Sequence, residues 1–343
     1  MITYPFEAPP APGDATRIAE GVLWLRIPLP MPNLDHVNIY ALDEGDSWSV
    51  IDTGLDTGAC RKAWQAALDG PLAGKPVRRV ILTHHHPDHV GLAGWFVSNG
   101  AELWTTRTAW LFARMLRLDE QAVPNAETLR FWTEAGMPEP ILAQRRLERP
   151  FNFADCVAPM PLGFRRIEEG DELVAAGRRW RVLCGHGHAP DHLTLWSQDD
   201  ELVLGGDQLL PSISPNLGAY ATEPLADTVG DWLVSCRRFQ DVARPEHLVL
   251  PGHKVPYSGL PERLVQMIEN HVSALDRLRA HLREPRSAVE CFVPIFGRQI
   301  SGSAFGLALV EAVGHLNHLL AQGEVARHKR ADGAWAWQML EEA

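Results

Sequence analysis

The segment Thr83-His84-His85-His86-Pro87-Asp88-His89 decides the fold. It follows Val77–Thr83, a short apolar run that predicts a strand, and Pro87 stands where a helix continuing through Val90–Phe96 would begin. His84 and His86 are two residues apart in extended chain, so both imidazoles point to one side and His85 alternates to the other. Asp88 and His89 follow where the chain turns into the helix and can face the same pocket from another angle. Four of the fifteen histidines fall in residues 84–89, and three more fall in 186–192. Neutral imidazole and carboxylate are the usual zinc donors besides thiolate.

Working outward, three later segments each place a donor just past a predicted strand. They are Cys184-Gly185-His186-Gly187-His188-Ala189-Pro190-Asp191-His192, Gly205-Gly206-Asp207 and Pro251-Gly252-His253. The carboxyl ends of strands are where α/β folds often gather functional groups, and the neighbouring glycines permit tight turns. The histidines outside this set read as core or surface residues, and singly so do His85, His186, His192 and His271.

The pattern around these segments is α/β. Residues 1–20 are proline-rich and read as an irregular leader. Strands are expected at Val22–Ile27, Val37–Leu42, Ser47–Asp52, Phe164–Ile167, Glu172–Ala175, Trp180–Leu183, Leu193–Ser197, Leu202–Gly205 and His247–Leu250, with helices at Asp56–Leu68, Ala226–Phe239 and Pro261–Leu282. Residues 107–160 read as a mostly helical insertion near the pocket, rich in aromatics. Past Glu284-Pro285, two helices (Ser287–Phe292 and Phe305–Ala321) precede a small hairpin, Glu324–His328 with Ala334–Gln338, which suggests a winged-helix-like module. The division is thus 1–257 for the metal-binding domain, 258–284 for a connecting helix and 285–343 for the terminal module.

The ordered motifs resemble those of the metallo-β-lactamase superfamily. His84, His86, Asp88 and His89 look like its HxHxDH motif, and Ile51-Asp52-Thr53-Gly54 like its early Asp-Thr-Gly strand end. Gly187–His192 resembles its Gly-His-Thr-Pro-Gly-His loop, Gly206-Asp207 its bridging aspartate and Gly252-His253 its last ligand. The resemblance implies a four-layer αββα sandwich with the site at one edge. It also implies that His84, His86 and His188 bind one divalent metal, that Asp88, His89 and His253 bind a second, and that Asp207 bridges them. Asp52 and His192 would support these ligands from behind. Zinc is the expected ion, with iron or manganese tolerated by the same donors.

The expected activity is that of a metal-dependent hydrolase, in which a hydroxide held by two metals attacks a small thioester or ester, as in glyoxalase II-like enzymes. Asp88 would orient or accept the proton. Two alternatives come from the same superfamily: a phosphodiesterase or ribonuclease, and a persulfide dioxygenase-like enzyme with one iron on His84, His188 and Asp207. Nucleic acid would most readily meet Arg327-His328-Lys329-Arg330. Against a polyanion stands the net charge of −11, from 43 acidic and 32 basic residues among 343. No run of about 18 apolar residues indicates a membrane helix. Five dispersed cysteines without a CxxC pair read as free thiols in a reducing cytoplasm. The apolar stripe along Phe305–Leu320 reads first as core and alternatively as the interface of a homodimer.

Overall fold

The structure, a computed structural model, describes residues 1–31 and 34–340. It divides into two compact units. The first comprises Met1–Glu120, Phe151–Pro215 and Val242–Arg263, and the second Gln121–Pro150, Asn216–Asp241 and Leu264–Ala343.

In the first unit, strands β1 (Ala15–Ala19), β2 (Val22–Met31), β3 (Leu34–Asp43) and β4 (Trp48–Ile51) lead to helix α1 (Gly58–Asp69). Strand β5 (Val77–Ile81) follows, then the short helices α2 (Pro87–Val90) and α3 (Ala93–Ser98), strand β6 (Glu102–Thr105), helix α4 (Arg107–Leu118) and strand β7 (Arg165–Arg166). These seven strands form one sheet in chain order. Its first half pairs antiparallel, while β4, β5, β6 and β7 pair parallel because helices carry the chain back between them. A second sheet contains β8 (Glu172–Ala175), β9 (Arg178–Gly185), β10 (His192–Ser197), β11 (Leu202–Gly206) and β12 (Leu248–Pro251), in the order β12-β11-β10-β9-β8.

Period-two alternation explains how the two sheets stack. Val22 and Trp24 of β2, with Tyr40 and Leu42 of β3, pack against Trp180, Val182, Leu193 and Leu195 of the second sheet. Leu25, Ile27, Val37 and Ile39 point the other way, onto Trp64 of α1 and Phe96 of α3. Each such fully buried side chain contributes about 1.5–3 kcal/mol by leaving water. Helix α1 is started by Thr57, whose hydroxyl accepts from the Cys60 amide at 3.2 Å.

Two strands escape the sequence reading. The leader is not wholly irregular, because Ala15–Ala19 pairs with β2 as an edge strand. Glu102–Thr105 is too short to show a period and takes its place as β6 by parallel pairing with β5.

The second unit is mainly helical. It holds α5 (Ala126–Glu134), α6 (Glu139–Leu147), α7 (Thr228–Gln240), most of α8 (Leu260–His281), α9 (Phe292–Phe296) and α10 (Phe305–Ala321), with the antiparallel hairpin β13 (Val325–Lys329) and β14 (Trp335–Met339). The insertion at 107–160 is therefore shared: α4 belongs to the first unit, while α5 and α6 belong to the second. Gly302–Ala321 is long and apolar enough to cross a membrane by length and composition alone. In the structure most of α10 is buried, including Leu309, Val313, Leu316 and Leu319, as expected of a core helix. All five cysteines are buried thiols outside any disulfide.

Candidate metal centre

Every donor of the first unit's cluster comes from chain just beyond a strand. The loop after β5 carries His84 and His86, α2 carries Asp88 and His89, the β9–β10 loop carries His188, the end of β11 carries Asp207, and the end of β12 carries His253. His84 Nε2 lies 3.0 Å from His86 Nδ1, which lies 3.0 Å from His188 Nε2. Three groups each hold donor atoms within 4.8 Å of one another: His84, His86 and His188; His84, His89 and Asp207; and Asp88, His89 and His253. Asp207 Oδ2 sits among them, 3.5 Å from His89 Nε2, 3.6 Å from His188 Nε2 and 3.4 Å from His253 Nε2. Asp88 Oδ2 is 3.3 Å from His253 Nε2.

The rings are aimed by the groups behind them. Asp52 Oδ1 accepts the Thr83 amide, and its Oδ2 accepts both the Thr83 hydroxyl and His89 Nδ1–H, each at 2.8 Å. The Thr83 oxygen, having given its proton to Asp52, accepts from His84 Nδ1 at 2.9 Å. One carboxylate thereby orients two imidazoles with Nε2 facing the pocket. Asp52 holds a left-handed backbone, φ 62°, to reach this position. His253 Nδ1 donates to the His36 carbonyl at 2.8 Å, which aims its Nε2 the same way. His192 is buried behind the cluster, stacked on His84 at 4.6 Å between centroids, and accepts the Asp207 amide at 3.1 Å.

Two backbone sites make the close approach possible. A Cβ on Gly252 would lie 2.2 Å from Asp207 Oδ1, and one on Gly206, where φ is 49°, would lie 2.5 Å from the His192 ring. A side chain at Gly252 would displace the Asp207 carboxylate, and one at Gly206 would displace His192 from behind the cluster.

The electrostatics divide the imidazoles. Burial, helped by neighbouring imidazoles, holds His84 and His86 well below the usual histidine pKa. Burial acts the same way on His89, yet the carboxylates of Asp207, Asp88 and Asp52 outweigh it and raise its pKa well above the usual value. His253 is likewise raised to about 10, because Asp207 and Asp88 overcome burial. Burial works against ionisation of Asp88 and Asp207, but their histidine neighbours dominate and lower both. The pocket therefore demands positive charge, supplied by protons or by metal cations. His89 Nε2 and Asp207 Oδ1 are buried without a hydrogen-bond partner. Buried polar atoms without hydrogen-bond partners, in a pocket of imidazoles and carboxylates, suit divalent ions.

His85 points away from these groups, but not into water. It is buried, with its ring 5.0 Å from Phe112 of α4, and burial lowers its pKa to about 3. His186 accepts the Asp191 amide at 3.2 Å and joins no donor group among the described residues. Sequence reasoning missed the fasteners of the last loop. Asn38 Nδ2 donates to the carbonyls of Pro251 and Lys254, both at 2.9 Å, and Tyr40 Oη donates to Pro251 at 2.9 Å. An asparagine inside the apolar run Val37-Asn38-Ile39 was the available signal, since a buried amide requires partners.

The chain belongs to the metallo-beta-lactamase superfamily, whose family model matches residues 32–253, and it is an enzyme of that fold. Residues 275–340 match a second model, the metallo-beta-lactamase-like C-terminal domain. Over 326 residues the chain is 27% identical to a Bacillus subtilis (strain 168) protein named "Probable metallo-hydrolase YqjP", covering 90% of this chain and 95% of that one. Among solved structures, a beta-lactamase domain protein from Burkholderia ambifaria superposes with a TM-score of 0.89 at 33% identity, covering 99% of this chain and 97% of that one. A metallo-beta-lactamase family protein from Thermus thermophilus gives 0.78 at 28% identity, covering 94% and 100%.

Proposed function

We propose that the protein is a zinc-dependent hydrolase of small thioesters or esters. His84, His86 and His188 would hold one ion, Asp88, His89 and His253 another, and Asp207 would face both. The carrying observation is Asp207 Oδ2, within 3.4–3.6 Å of imidazoles from both triads. Divalent ions held by these residues would supply Lewis-acid polarisation of a carbonyl and would acidify water toward neutral pH. The residues do the rest. Asp52 and the His36 carbonyl orient the rings, and Asp88 would take the proton released as water adds to the substrate.

A small acyl substrate is favoured by what flanks the cluster. Phe112 of α4 lies against His85, with ring centroids 5.0 Å apart, as an apolar neighbour of the histidine segment. The nuclease alternative loses support at the hairpin. Arg327 and Lys329 both stack on Trp335, at 4.4 and 4.0 Å, while Lys329 pairs with Glu134 and Arg330 with Glu290 at 2.8 Å. Those basic groups are already engaged within the second unit. The αββα layering and a winged-helix-like reading of α9, α10 and the hairpin remain part of this proposal, as does a cytoplasmic setting.

The test is a screen of zinc-loaded protein against thioesters, esters, lactones, β-lactams and phosphodiesters, with bound metal quantified. Thioester or ester turnover that disappears on chelation and returns with zinc is expected. Preferential cleavage of phosphodiesters, or one iron per chain with oxygen consumption, would replace this reading.

A further inference from the structure

The second unit contains a donor group that the hydrolase reading does not use. Glu311 and His315 are four residues apart on α10, so they project from one face of the helix. His271 of α8 meets them, and the donor atoms of all three lie within 4.8 Å of one another. His271 Nδ1 is 3.3 Å from His315 Nε2, and both histidines are almost wholly buried, 2% and 1% exposed. With metal–nitrogen bonds of about 2.0–2.1 Å, two imidazoles on one tetrahedral ion stand about 3.3–3.4 Å apart.

The surroundings orient His315 and Glu311, and the two imidazoles face each other directly. His315 Nδ1 donates to the Glu311 carbonyl at 2.9 Å, which leaves its Nε2 as the acceptor facing His271. The Glu311 carboxylate accepts from Asn216 Nδ2 at 2.8 Å, and the same amide reaches the Leu307 carbonyl at 3.1 Å. Trp232 of α7 stands edge-on to His271, with centroids 6.3 Å apart, as an apolar wall. A Glu311 carboxylate oxygen lies within 4.8 Å of both imidazole nitrogens, which places three donors around one point.

We propose that His271, Glu311 and His315 form a separate site for one divalent transition metal, zinc in the first instance, which ties α8 to α10. Two imidazoles and one carboxylate make a donor set of the usual zinc type, with a fourth position for water. No step of the hydrolytic chemistry passes through it.

Chelated full-length protein is titrated with zinc, and bound metal is counted by mass spectrometry after gel filtration. Cobalt(II) absorption reports the coordination. The chain carrying His84→Ala and Asp207→Ala should retain one tight equivalent, and adding Glu311→Gln should remove it or weaken its Kd at least tenfold. In the otherwise native chain, Glu311→Gln and His315→Gln should each bind one equivalent fewer. If circular dichroism shows one chain unfolded, the other decides. A folded His84→Ala/Asp207→Ala chain that retains no metal overturns the proposal. An equivalent that survives both Glu311→Gln and His315→Gln is adventitious and overturns it equally.

Discussion

The two histidine clusters are assembled by opposite means. In the first unit the donors come from five separate loop or helix starts beyond strand ends, and Gly252 leaves room for Asp207 and His89 while Gly206 leaves room for His192 behind them. In the second unit two donors share one helix face and the third faces them from another helix. Loops beside a sheet edge can bring many ligands together and leave the pocket open to substrate. Helix faces bring few ligands together. Burial does not separate the two groups, since His84, His89 and His253 are as buried as His271 and His315.

The largest effect should come from Asp207→Ala, which removes the group shared by both triads. Loss of several kcal/mol of transition-state stabilisation would lower kcat/KM by about 10³-fold or more, with metal content falling in parallel. Steady-state kinetics with metal analysis check this, and activity retained without metal would break the contrast between the clusters. Next is the helical site. Zinc at a hundredfold excess over its Kd should add about 2.7 kcal/mol to the second unit's stability, and Glu311→Gln should abolish that gain in chemical unfolding. Asp52→Asn keeps the size but loses the charge behind His84 and His89, so metal affinity of the first cluster should fall about 10–100-fold. Competition with a zinc-sensitive dye measures it, and unchanged affinity would mean that the rings are aimed by packing alone.

The smallest effect concerns a histidine contact with no metal role. Asp227 caps α7 by accepting the Gly230 amide at 2.8 Å and meets His318 Nδ1 at 2.9 Å. Burial raises its pKa, but these partners win and lower it from the usual 3.8. A lowered carboxylate stabilises the fold above its ordinary pKa, and that contribution vanishes as pH falls through the lowered value. Asp227→Ala should therefore cost about 1 kcal/mol at neutral pH and less near pH 3, measured by guanidinium unfolding at both.

The strands carrying the first cluster were legible because each donor segment sits where apolar periodicity stops and glycine or proline begins. Gly206-Asp207 and Gly252-His253 are such junctions. The winding of the chain between units was not. Nothing in the composition of 121–150 distinguishes helices that join the second unit from α4, which joins the first. The second cluster was hidden for a related reason. Glu311 and His315 interrupt an apolar helix by single residues, and His271 lies forty-four positions from its partner His315. Contacts between distant helices leave no local period to read. Edge strands such as β1 are invisible for the same reason, since their pairing partner defines them.

The tie between His253 and β3 has a consequence for how the protein is made. His253 Nδ1 bonds the His36 carbonyl across 217 positions of chain, and the Asn38 amide fastens the 251–254 turn to the same strand. A ribosome must therefore synthesise more than two hundred residues beyond β3 before the cluster can close. Any metal held by the proposed centre would thus be acquired late, once the turn after β12 has joined the amino-terminal sheet.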